Sequence, residues 1–64
     1  MKLIQPKQKI TKEMRFNGSA KELLKKLNIN SETVILSVNG TVVGDDHQIT
    51  DTDQVTIFSV ISGG

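Results

Sequence analysis

"VTIFSVISGG", residues 55–64, decides the fold. In an extended chain Val55, Ile57, Ser59 and Ile61 point one way and Thr56, Phe58 and Val60 the other, because strand side chains alternate. Apolar and β-branched residues on both sides suit a strand with a neighbour at each edge, hence a central place in a sheet. The strand runs directly into Gly63-Gly64. Glycine has no Cβ and leaves φ free, so the pair reads either as a frayed end or as a working terminus.

The rest of the chain supplies what such a strand needs. "MKLIQ" at 1–5 is a first strand that Pro6 ends, "KQK" at 7–9 is a turn, and "ITKEMRF" at 10–16 returns from it, sending Met14 and Phe16 to the core. Gly18-Ser19 announces a helix, with Ser19 as N-cap and Glu22 three residues on, the spacing of a capping box. Leu23, Leu24 and Leu27 form its apolar stripe, and Lys21, Lys25 and Lys26 face solvent. The expected end is near Asn28, after about two and a half turns, too short to stand without a sheet beneath it. "VILSV" at 34–38 alternates Val34, Leu36 and Val38 against Ile35 and Ser37. Asn39-Gly40 is the strongest hairpin signal in the chain, and Thr41-Val42-Val43 returns from it. "GDDHQITDTD" at 44–53 is polar and turn-rich, with Ile49 as its one core anchor and Asp51 and Asp53 placed to receive backbone N–H groups.

This order, with one helix, gives a small α+β roll: a mixed sheet with the helix on one face. First and last strands should be parallel neighbours at its centre. The expected buried set is Leu3, Leu23, Leu27, Leu36, Ile49, Val55 and Ile57. If Leu36 and Ile57 point at the helix, then Ile35, Ser37, Phe58 and Val60 point away, onto a face nothing in the chain covers. Single exposed apolar residues are ordinary, but an aromatic and aliphatic cluster is also what a docking patch looks like. The patch lies on the strand that leads to the two glycines, so its partner would also receive the tail.

Composition narrows the function. At 64 residues the chain is one domain at most, read here as a domain over 1–62 and a flexible Gly-Gly tail at 63–64. With no cysteine there are no disulfides, thiolate metal sites or thiol catalysis. The net charge of +1 carries no instruction, and the lysines concentrated in the first quarter, without aromatic platforms for bases, are poor evidence for nucleic acid. No apolar run approaches the ~20 residues that span a bilayer, and the start has no signal-peptide core, so a cytoplasmic protein is expected. His47 is the only histidine and has nothing to complete a metal set. Asp45, Asp46, Asp51 and Asp53 do not follow the EF-hand spacing. No nucleophile–base pair is in view, and the expectation is a substrate or carrier, not an enzyme.

A terminal Gly-Gly can enter a tunnel too narrow for any side chain and present its carboxylate to a distant active site. On these residues the chain resembles the ubiquitin-like (β-grasp) sulfur carriers. The likeness rests on "GSAKELLKKL" at 18–27, "ILSVNGTVV" at 35–43 and "DTDQVTIFSVISGG" at 51–64. It is nearest to the sulfur carriers of thiamine biosynthesis, and similar to a lesser degree to the small subunit of molybdopterin synthase, whose members are usually longer. The resemblance implies that Gly64 is adenylated by a ubiquitin-activating-type enzyme, which uses the ATP, so that the carrier binds no cofactor itself. Gly64 then becomes a thiocarboxylate, fed by a sulfurtransferase or cysteine desulfurase, and gives its sulfur to a synthase. It further implies Gly63 as the tunnel residue and the Phe58 and Val60 face, with Ile35 and Ser37, as the docking surface. Transfer-RNA thiolation and conjugation to lysines through Gly64 stay open. The long basic first hairpin, and a 44–50 loop without the basic residue often found there, depart from the thiamine carriers and bear on partner choice.

Overall fold

The chain is described here over residues 1–60 by a computed structural model, so Ile61, Ser62 and both tail glycines lie outside the described residues. Its strands are Lys2–Gln5 (β1), Ile10–Glu13 (β2), Gly18–Ser19 (β3), Val34–Val38 (β4), Thr41–Val43 (β5), Gln48–Ile49 (β6) and Gln54–Ser59 (β7), with one α-helix, Ala20–Lys26 (α1). Five of the strands form a mixed sheet in the order β2-β1-β7-β4-β5. The last strand is therefore central, parallel to β1 and antiparallel to β4. That is the ubiquitin-like β-grasp arrangement expected of a strand apolar on both faces.

Alternation sets the two faces. Leu3, Leu36, Val38, Val55 and Ile57 point under the helix and are buried with Met1, Ala20, Leu23, Leu24 and Ile49. Leu3, Leu36 and Val38 pair with Val55, Ile57 and Val55 respectively across β7, so the core is a continuous apolar layer on the central strands. Ile10 shares the Leu3 face by register but stays exposed, because it stands on edge strand β2, beyond the cover of a seven-residue helix.

Helix α1 starts as its cap residue dictates: Ser19 Oγ accepts the Glu22 N–H at 3.2 Å. Two more N–H groups of the first turn, on Ala20 and Lys21, donate to the His47 and Asp45 carbonyls at 2.8 and 2.7 Å. The helix stops near Asn28, as expected, with Leu27 as its C-cap. Asn28 adopts the left-handed conformation at φ 60, its N–H bonds the Lys25 carbonyl, and the Ile29 N–H bonds the Leu24 carbonyl. This is a Schellman stop. Leu27 becomes the C-cap and is only half-buried, which corrects its place in the expected core, and Ile29 returns to pack against that core. The small β3–β6 pairing has no counterpart among the expected strands; it ties Gly18 to Ile49 and seats the 44–50 loop over the helix start.

Candidate functional site

The open face of the sheet is built on the β4–β7 ladder. Ile35 stands directly across from Phe58, and each keeps 44% of its surface exposed; Val60, just beyond β7, keeps 50%. An aromatic opposite a β-branched residue is a favourable cross-strand pair, so the two side chains support one another while presenting their outer surfaces. Three of the four residues placed on this face from the alternation are thus brought together and exposed.

Ser37 differs. It lies on the same face but only 8% of it is exposed. Its strand has a neighbour on each side, and Ser37 is paired with Thr56 on β7 and with Val42 on β5. A side chain this short between two longer ones forms the floor of the face and projects nothing. Val42, conversely, is a member of the face that alternation along β4 and β7 alone does not find. It is the most exposed large apolar residue among those described. The signal was present in the turn: a two-residue Asn39-Gly40 loop closing on Val38 and Thr41 necessarily sets Val42 opposite Ser37.

Polar residues around the root of β7 hold it in place. Asp51 Oδ1 accepts the Phe16 N–H at 2.7 Å, and its Oδ2 accepts from Asn17 Nδ2 at 3.1 Å. Asp53 Oδ2 accepts the Thr50 N–H at 2.9 Å, and its Oδ1 accepts from Asn39 Nδ2 at 3.0 Å. These donors favour the ionised form, the backbone N–H first in each case, and hold both carboxyls below the ordinary value of 3.8. Asp53 receives a nearby N–H before the last strand, as expected, whereas Asp51 reaches across the fold to Phe16 and Asn17 instead of to its own turn. His47 contributes its backbone, N–H to Gly44 and carbonyl to Ala20. Among the described residues no three His, Asp or Glu side chains come together as a metal-binding group.

The arrangement has the character of a handle, with an apolar surface on the strand that precedes the terminal glycines in the chain. Gly63 and Gly64, the positions assigned the chemistry, lie outside the described residues. A family comparison covers them: residues 2–64 match the family model for the ThiS family. With the β-grasp sheet, the capped helix and the Gly-Gly end all falling within that match, the chain belongs to the ThiS family.

Proposed function

We propose that this protein carries sulfur as a thiocarboxylate on Gly64 and is charged and discharged by partners that dock on the Ile35/Phe58/Val60 face. Membership of the ThiS family makes it a sulfur carrier of the thiamine-biosynthesis kind and not an enzyme. The observation that carries the reading is the extent of that match, which runs through the last residue. A carboxylate is a poor electrophile, so a carrier of this kind needs activation. Its oxygen attacks the α-phosphorus of ATP and pyrophosphate leaves. The outer sulfur of a persulfide on the sulfur donor then displaces AMP from the acyl carbon, and a thiol reductant cleaves the S–S bond of the resulting acyl disulfide to leave the thiocarboxylate. An adenylating enzyme of the ubiquitin-activating type performs the first step, a cysteine desulfurase or sulfurtransferase supplies the sulfur, and a thiazole-forming synthase receives it, all in the cytoplasm. Two glycines suit this because neither bears a Cβ to obstruct entry to the activating site.

The test is ATP–pyrophosphate exchange with the adenylating enzyme, together with the intact mass of carrier taken from its native cell. Deleting Gly64 withdraws the carboxylate by one residue, about 3.3 Å, and exchange should vanish. Gly64→Ala should fold normally yet exchange on the order of a hundredfold more slowly, since a displacement of about 1 Å at the reacting carbon has that effect. The native protein should show the mass gain of one oxygen replaced by sulfur. Equal exchange by full-length and shortened chains would show that the terminus is not the reacting group.

A further inference from the structure

The register of β7 against β4 decides which side chains the carrier shows its partners, and hydrophobicity alone specifies it weakly. A one-residue slip moves every side chain of a strand to the opposite face. On β7 that exchange would put Thr56 and Phe58 beneath the helix and turn Val55 and Ile57 outward. Both sets contain large apolar residues, so burial separates the two registers far less than it would for a strand with one polar face. Something else must discriminate.

The ladder supplies it at its root. Extending the register from Val34–Ser59 to Val38–Val55 by one residue brings Asn39 opposite Gln54. The Asn39 N–H donates to the Gln54 carbonyl at 2.8 Å, as a ladder residue should. Its own carbonyl is unavailable for the return bond, because at φ 53 the backbone has already entered the Asn39-Gly40 turn. The side chain takes over: Asn39 Oδ1 accepts the Gln54 N–H at 3.0 Å. Its Nδ2 simultaneously donates to Asp53 Oδ1, while Asp53 Oδ2 holds the Thr50 N–H and the Asp53 carbonyl accepts the Lys2 N–H of β1 at 3.0 Å. A slipped strand would put a different residue opposite Asn39 and break these contacts together. At the far end the same register is continued by the Val60 N–H on the Thr33 carbonyl at 3.0 Å.

The structure assigns Asn39 and Asp53 as positioning residues for sulfur loading: a side-chain clamp at the root of β7 that fixes its register, and so sets Phe58 across from Ile35. This rests on the docking reading above, since it is through that face that register reaches the activating enzyme. Both are assigned to act through that face and not on the reacting carbon itself.

Three variants test it. N39G keeps a turn-competent residue in the left-handed position and removes the clamp. N39D also suits the turn but sets two carboxylates against each other. N39D/D53N rebuilds every bond with the roles exchanged. The carboxylate then at position 39 accepts from the Gln54 N–H and from the amide nitrogen at position 53, and the amide oxygen at position 53 accepts from the Thr50 N–H. Each protein is first shown to be folded by circular dichroism at the assay temperature. Pyrophosphate exchange and amide hydrogen exchange at Thr56 and Phe58 are then measured. N39G and N39D should raise the KM for carrier about fivefold or more at unchanged kcat, because apparent affinity scales with the fraction in the competent register. They should also lose protection at both amides, and the double variant should recover both readouts. General destabilisation would also be reversed by the exchange of roles, so the discriminating readout is the KM for carrier of protein already shown to be folded at the assay temperature. Wild-type KM and protection in folded N39G, or a double variant no better than N39D, overturns the assignment. If the wild-type protein itself supports no exchange, the Gly64 reading fails, and the clamp is judged on amide protection alone.

Discussion

Replacing Phe58 by alanine separates what this side chain does inside the molecule from what it offers outside. Phe58 leaves 44% of its surface exposed, about 90 Å² of the roughly 200 Å² of a phenylalanine side chain. At about 25 cal/mol per Å², full burial of that remainder in a complex is worth about 2 kcal/mol, or roughly thirtyfold in affinity. Inside the fold, the variant loses the cross-strand partner of Ile35, a pair worth up to about 1 kcal/mol, which leaves the core beneath Leu36 and Ile57 untouched. The expected result is therefore a KM for carrier about thirtyfold higher in pyrophosphate exchange with the adenylating enzyme, beside a urea midpoint only slightly reduced. A folded Phe58→Ala protein with unchanged exchange kinetics would remove this face from the loading reaction.

Core truncation should rank Leu23→Ala well above Leu27→Ala in urea denaturation. Leu23 is fully buried and should lose about 2–4 kcal/mol, whereas the half-buried C-cap Leu27 should lose about 1 kcal/mol. Lys9 sits in the left-handed region at φ 56, so Lys9→Gly should raise stability by about 0.5 kcal/mol, seen as a higher midpoint. Asp51 and Asp53 have folded-state pKa values depressed below 3.8, so their stabilisation is present in full above the unfolded value and is lost as pH falls through the folded one. Urea midpoints should accordingly fall on acidification below about pH 4, and Asp51→Asn should flatten that limb while lowering stability at neutral pH.

Much of this protein is written in local patterns. The two apolar faces of residues 55–60 place β7 at the centre of the sheet, because only a strand paired on both edges and covered on one side can use them. Ser19 marks the helix start and Asn39-Gly40 the tight hairpin, since each is a conformational preference of one or two residues. The terminal glycines, too, are legible without any structure. Tertiary structure alone decided what depends on residues distant in sequence. The β3–β6 bridge is two residues long and has no periodicity to announce it. Asp51 was legible as a turn former, but its partners Phe16 and Asn17 lie more than thirty positions away. Leu27 carries the same apolar signal as Leu23, yet the Schellman stop at Asn28 leaves it half-exposed. Ser37 alternates with Ile35's face, and only its neighbours on both sides sink it to the floor. Periodicity reports which way a side chain points; how much of it remains exposed is set by what the fold packs beside it.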